Sequence, residues 1–410
     1  MRKFPERCAA VLGRVIFIGF GVQILLGIVW MCRAFSLLKG WGEGVVCAAQ
    51  IAVLGVALYF LGGKTRGKIF MVLSALTFPM VAQCTVRPDA RVWAVALLLA
   101  QIACVRRAME DETDMRFFCA GLCAWAAAAL IRAEYLCIGA IPMVCYGIWF
   151  AVRGRGEERT LRRRRILNRW LLILAAGGIA AGVGSLYRDR TRLSTHVASR
   201  VAWTTLYNSY AAMPEESRQD IDYLELAYGT YEATGIETNL RPSLEQNLGE
   251  READRILYEL SSIAWQNGKG QILKETAWDM AGYLLAPAVL PLQLKGRGYE
   301  SYSGINYRQI LEPDPGWGRL YMQYGCRWYI TACVLAVVTG VLTGMRPMSR
   351  GKGIPLLAGL GMCALYTASW AGKMDYKNTI FVLCVGIICI WEVAVRGVAR
   401  TGGKPDEQTR

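Results

Sequence analysis

The stretch RGRGEERTLRRRRILNRWLLILAAGGIAAGVGSLY, residues 153–187, joins the densest basic run of the chain to an apolar segment that holds no charge. A helix of roughly 20 apolar residues crosses a hydrocarbon core of about 30 Å, and the segment 170–187 approaches that length. Lys and Arg keep the loops that carry them on the cytoplasmic side of a membrane. The stretch therefore predicts a membrane-spanning helix that begins inside and ends outside.

Nine more apolar segments accompany this one. Backbone groups cannot stay unpaired in lipid, and the segments lack the alternation of barrel strands, so we expect helices. The shortest segment crosses only if Arg91 and Arg106 reach the two membrane surfaces. We therefore predict an all-α polytopic membrane protein of about ten transmembrane helices; the nine further segments are 15–32, 44–62, 68–84, 92–105, 117–132, 135–151, 328–345, 353–371 and 379–396.

Orientation follows from the gaps between these segments, because every second gap is rich in Lys and Arg. This alternation places both termini in the cytoplasm. It divides the chain into an N-terminal membrane domain of seven helices (1–187), an extracytoplasmic domain (188–325), and a C-terminal membrane domain of three helices with a cytoplasmic tail (326–410). We expect a multi-pass protein of the cell membrane.

The charge is distributed in the same way. The chain has a net charge of +15, yet residues 188–325 carry 18 acidic and 14 basic side chains. We interpret the basic excess as a topology signal and an attraction to anionic membrane lipids, and we expect no nucleic-acid partner. None of the 14 cysteines lies in 188–325, and His196 is the only histidine. These facts argue against a disulfide framework, a His-based metal site and a Ser-His triad.

The extracytoplasmic domain is mainly helical by pattern. Residues 250–265 place apolar side chains at helical spacing, and residues 271–286 also begin a helix of mixed apolar and charged side chains. The segment 284–294 has the composition of an eleventh span, but an extra crossing would move basic loops to the outside. We therefore predict an amphipathic segment on the outer membrane surface.

Ionisable side chains at the outer ends of spans are the candidate site residues, because charge near hydrocarbon is costly. Cations there could bind a phosphate at the headgroup plane, and a carboxylate could deprotonate an acceptor hydroxyl. Four outer gaps share this side of the membrane with the large domain. In chain order they hold Glu43; Arg87 with Asp89; Arg132 with Glu134; and Lys373, Asp375, Tyr376 and Lys377.

Each gap also has a simpler interpretation. Glu43 could be a solvated loop charge, and the turn at Asp89 could only cap the following helix. Arg132 and Glu134 could pair and close a helical hairpin. The lysines of the fourth gap could contact lipid phosphates. The functional interpretation depends on the coincidence of all four gaps on one side.

Three local segments resemble a known family. ALIRAEYLCIGAIPM (129–143) is similar to a small-residue helix followed by a basic residue, any residue and Glu. GKMDYKNTIFV (372–382) resembles a basic and aromatic segment before a final span. ADRILYELSSIAWQNGKGQILKETAWDMAGYLLAP (253–287) resembles paired amphipathic helices that precede later spans. Together with the layout, they resemble the GT-C superfamily of membrane glycosyltransferases, especially the protein-mannosyltransferase-like group.

The resemblance implies a GT-C-like fold and a polyprenyl-phosphate sugar as donor, bound at the outer membrane face. It would place Arg132, Lys373 and Lys377 near the donor phosphate. It also implies a catalytic acid in the first outer loop, where this chain has only Glu43, so Asp89 is the second candidate base. The donor sugar, the extracytoplasmic acceptor and any divalent metal requirement are left open.

Two functions of different classes therefore remain. One is a transferase that moves a sugar from polyprenyl phosphate to an extracytoplasmic acceptor. The other is a non-catalytic membrane protein whose outer domain binds a partner or a lipid-linked glycan. A transporter is a weaker third. It predicts charges or Gly and Pro breaks near mid-membrane, whereas most candidate charges of this chain lie at the ends of spans.

Overall fold

A computed structural model describes most of the two membrane domains. The described residues are 3–36, 38, 40–62, 67–111, 115–131, 134–153, 159–188, 315–344, 353–369 and 380–399, with isolated positions between 249 and 277. Within them the chain is helical and contains no strand. Among these described residues, seven helices are long and apolar enough to cross a membrane, and a bent pair of shorter helices would make an eighth.

Eleven helices lie in the described residues of the two membrane domains. Glu252 and Arg255, in the predicted outer domain, are also helical and form an exposed ion pair. The helices are α1 (Lys3–Ser36), α2 (Trp41–Leu61), α3 (Lys68–Leu76), α4 (Pro79–Thr85), α5 (Ala90–Glu110), α6 (Met115–Ile131), α7 (Glu134–Arg153), α8 (Arg159–Arg188), α9 (Pro315–Leu342), α10 (Ile354–Ser369) and α11 (Ile380–Ala399).

Each predicted apolar span falls on helix, but the span 68–84 is divided. Its two parts, α3 and α4, meet at 73°. Pro79 is at the start of α4, where its fixed φ suits a helix start. Because it has no N–H, it cannot continue the backbone hydrogen bonds of α3. All seven residues of α4 are buried. The break therefore lies inside the bundle, where lipid does not contact the interrupted backbone.

Side chains from neighbouring helices satisfy the carbonyl groups at this break. Phe78 donates its N–H to Ala75 instead of Ser74. The Ser74 carbonyl accepts instead from Nε2 of Gln23 at 2.9 Å, and the Thr77 carbonyl accepts from the Tyr321 hydroxyl. A buried carbonyl without a partner would cost about 1–3 kcal/mol. The break is therefore stabilised by α1 and α9.

Two glycines let these helices approach the break. A Cβ at Gly27 of α1 would lie 2.6 Å from the Thr77 Cβ, and one at Gly325 of α9 would lie 2.5 Å from Pro79 Cγ. Both distances are shorter than van der Waals contact. A larger residue at either glycine would push its helix away from the break and separate the hydrogen-bonding groups.

The core extends through the bundle, and one part of it lies where α1, α9 and α11 meet. Phe20 and Trp328 contact edge to face at 6.4 Å between ring centroids, and Phe17 lies 4.6 Å from Trp391. In another part of the core, Trp125 of α6 donates its indole N–H to the Leu136 carbonyl of α7 at 2.9 Å. Aromatic side chains thus pack at contacts between helices that are distant in sequence and between helices that are consecutive.

We name the end of the bundle where α1 ends and α2 begins the outer end, following the Lys and Arg distribution. To test this orientation, Asn239→Cys and Gly156→Cys would be placed separately in a chain without its 14 native cysteines. We expect a membrane-impermeant maleimide to label position 239 in intact cells and position 156 only after permeabilisation. Labelling of position 239 only after permeabilisation would show the orientation to be wrong.

Candidate functional site

The turn between α4 and α5 lies below the outer end of α2. The Asp89 carbonyl, just before α5, accepts from Nε2 of Gln50 at 2.8 Å, and Nη1 of Arg106 near the end of α5 donates to the Leu61 carbonyl at 2.8 Å. The two helices therefore run in the same direction, with Asp89 level with Gln50. Since α2 begins at Trp41, nine residues earlier, it extends about 13 Å beyond this turn.

Two other helices extend past the same turn. Trp30 of α1 and Tyr321 of α9 form a buried cluster with Ala82 and Val86. Beyond this cluster α1 continues for six residues to Ser36, and α9 begins six residues before Tyr321, which adds about 9 Å to each. Among the described residues, the turn 86–89 thus forms the floor of a depression. We call it the outer recess, with walls Trp30–Ser36, Trp41–Gln50 and Pro315–Tyr321.

Cations occupy the wall and the floor of the outer recess. Arg33 is exposed on α1, and its guanidinium carbon lies 5.9 Å from the ring centroid of Trp317 on α9. Arg87 is exposed in the floor turn, next to the buried Val86. A guanidinium over an aromatic face is attracted to it and keeps its N–H groups at the rim of the ring. Two arginines therefore belong to the outer recess.

Glu43 lies on the same face of α2 as Gln50, which contacts the floor turn. The buried residues Cys47, Gln50 and Leu54 form a stripe that continues to the end of α2, with spacings of three and four residues. Glu43 extends this stripe by one turn toward the outer end, where α5 has not yet begun. It is exposed and stands about 10 Å above Gln50 along the helix axis. The carboxylate is thus directed over the outer recess.

Asp89 has a structural role. It is the N-cap of α5, and its Oδ1 accepts from the Arg91 backbone N–H at 2.9 Å. The simpler interpretation of this residue as a helix cap is therefore confirmed. Its predicted role as a base is not tested by this contact, because a carboxylate keeps further acceptor positions while it caps.

The other predicted site residues lie mostly outside the described residues. Glu134 is the first residue of α7, but its side chain is not among those described. The helices that lead to these positions pack together, since α10 contacts both α7 and α11. A Cβ at Gly359 of α10 would lie 3.5 Å from Val385 of α11. Outside the described part are Arg132, Lys373, Asp375, Tyr376 and Lys377.

Sequence reasoning did not select Trp30, Arg33 or Trp317 as site residues. Trp317 and Tyr321 are four residues apart near the start of α9, and Trp30 and Arg33 are three apart near the end of α1. Such spacings put each pair on one helix face. Only the antiparallel contact of α1 with α9 shows that these two faces meet.

No family model, no curated protein and no solved structure matches this chain. The described residues show no group of three or more His, Cys, Asp or Glu side chains suited to a metal ion. Arg33, Glu43 and Arg87 are exposed residues of the walls and floor of the outer recess. Such a set can bind a phosphate and accept a proton.

Proposed function

We propose that this chain is a GT-C-like membrane glycosyltransferase that moves a sugar from a polyprenyl phosphate to an acceptor at the outer membrane face. The outer recess is the reaction site. The observation that supports this most directly is the position of Glu43, which lies over a floor that holds Arg87. One carboxylate and at least one cation at the membrane surface are what transfer from a lipid phosphate requires.

Each charged side chain of the recess has one role in the proposed transfer reaction. The acceptor hydroxyl gives its proton to Glu43 as its oxygen bonds to the anomeric carbon of the sugar. The bond from that carbon to the phosphate oxygen breaks, and the electron pair leaves with the polyprenyl phosphate. Arg87 and Arg33 neutralise the negative charge that develops on this phosphate. Asp89 and Asp375 are the other candidate bases.

The cations of the remaining outer gaps extend the donor site in this proposal. Arg132, Lys373 and Lys377 would contact the phosphate or the nearby headgroup plane, with Glu134 and Tyr376 beside them. Support comes from the contacts of α10 with α7 and α11, because these three helices end or begin next to those positions.

The two other functions predict different behaviour. A non-catalytic glycan binder would keep the recess and its cations but would need no base at position 43. A transporter would use the broken helix α3–α4, since half-helix ends commonly hold ions. At this break the carbonyls of Ser74 and Thr77 already accept from Gln23 and Tyr321. This occupancy favours the recess over the break as the ligand site.

The donor site is tested by removing its charges one at a time. Arg87→Gln, Arg132→Ala and Lys377→Ala should each weaken polyprenyl-phosphate binding in nanodiscs about tenfold or more, because a charge-assisted hydrogen bond contributes about 1.5–3 kcal/mol. Arg107→Gln is the matched control, since Arg107 is an exposed arginine near the opposite end of α5.

Thermal stability is measured alongside, because loss of Arg132 could leave Glu134 without a counter-charge. Parent-like affinity in all three variants would show the donor-site assignment to be wrong.

A further inference from the structure

Three buried glutamines attach side-chain amides to the backbone of other segments. Gln23, Gln50 and Gln101 are each 0% exposed. Their Nε2 groups donate to carbonyl oxygens at 2.9, 2.8 and 2.6 Å, and the acceptors are Ser74, Asp89 and Gly139. A buried amide is costly unless it is hydrogen-bonded. Of the three, only Gln50 reaches the floor of the outer recess.

The backbone of the floor turn is held at both of its ends. At its start, Val86 donates its N–H to Ala82 at 3.0 Å, and its side chain is buried against Trp30. At its end, the Asp89 carbonyl accepts from the Val92 N–H at 3.1 Å. Arg87 and Pro88 lie exposed between these two points. The bond from Gln50 ties the end of the turn to α2, the helix that carries Glu43.

We infer that Gln50 is a positioning residue that holds the Arg87–Asp89 turn in register with Glu43. This inference rests on the proposed function for its ligand and on the hydrogen bond for its geometry. Glu43 and Gln50 are seven residues apart on one face of a rigid helix. The hydrogen bond from the Gln50 side chain therefore sets the distance between the backbone of α2 at the candidate base and the backbone of the turn that carries the cation for the donor phosphate.

The first measurement is amide hydrogen exchange of the full chain in nanodiscs. Gln50→Leu removes the donor while keeping a side chain of similar size, and it should raise exchange in a peptide covering 86–92. Gln101→Leu is the matched control, because Gln101 has the same burial and the same kind of bond to a different helix. It should leave exchange in the 86–92 peptide unchanged and act on the segment around Gly139.

The second measurement is binding of polyprenyl phosphate to the same variants. Gln50→Leu should weaken binding about three- to tenfold, the equivalent of one hydrogen bond, relative to Gln101→Leu at equal thermal stability. Gln50→Glu makes the same contact dependent on pH. Its acid group donates to the Asp89 carbonyl only while protonated, so its affinity relative to the parent should recover as the pH falls.

The outcomes separate this inference from the proposed function. Parent-like exchange of 86–92 in Gln50→Leu would overturn the positioning role whatever the ligand is. Raised exchange with unchanged affinity would overturn the link between the turn and the donor phosphate. If the parent itself does not bind polyprenyl phosphate, the proposed function fails, and the exchange result alone decides whether Gln50 holds the turn.

Discussion

Glu43→Gln is expected to lower the rate of sugar transfer about a hundredfold or more while leaving folding and donor binding intact. An acceptor hydroxyl is a weak nucleophile at neutral pH, and a positioned general base contributes about 10²–10⁴ in rate. The amide keeps the size of the side chain but cannot accept the proton. Turnover is measured with a polyprenyl-phosphate sugar and a hydroxyl acceptor in nanodiscs.

Asp89→Asn is the comparison that separates the two candidate bases. Asn caps a helix about as well as Asp, so the hydrogen bond to the Arg91 N–H and the start of α5 should be preserved. We expect a smaller loss of rate than in Glu43→Gln. Full activity in the double variant would remove both residues as bases. A parent without transfer activity toward any lipid-linked sugar would favour the non-catalytic alternative.

Arg106→Met is expected to destabilise the protein by about 3–5 kcal/mol, because it leaves Glu392 uncompensated. Nη2 of Arg106 lies 3.3 Å from Oε1 of Glu392, and the side chains are only 15% and 14% exposed. The same guanidinium donates to the Leu61 carbonyl. One arginine thus joins α2, α5 and α11 at the end opposite the recess. Unfolding in mixed micelles measures the change.

Two variants serve as controls for this ion pair. Arg106→Met combined with Glu392→Met removes both charges and should recover much of the lost stability. Arg107→Met breaks an exposed pair with Glu110, whose contribution should stay within about 1 kcal/mol. If Arg106→Met were as stable as the double variant, the pair would not be the source of stabilisation.

The ion pair between Arg106 and Glu392 also shows that local sequence patterns do not predict which residues pair. Arg106 was expected to lie at a membrane surface, and it does lie near the end of α5, away from the recess. Glu392 did not enter the sequence argument, although an acid within an apolar span needs a partner. That signal was present at residue 392, but the identity of the partner depends on how α5 and α11 pack.

The sequence by itself determined the helices. Apolar runs of spanning length predict helix because the lipid interior forces backbone groups to pair within each segment, and each of the ten predicted spans falls on helix in its described part. It also placed the candidate charges in gaps at helix ends, and it proposed capping as one role of Asp89. These properties depend on neighbours in the chain, so composition and spacing are enough to infer them.

Only the tertiary structure decided the depth of the turn 86–89 and what surrounds it. Pro79 marks a break in sequence, but the 73° bend and the burial of α4 depend on α1 and α9. The register of α2 against α5 is set by hydrogen bonds between distant residues, Gln50 with Asp89 and Arg106 with Leu61. Such pairings follow from packing of whole helix faces, which no local pattern encodes, and they set the level of the turn 86–89 relative to α2.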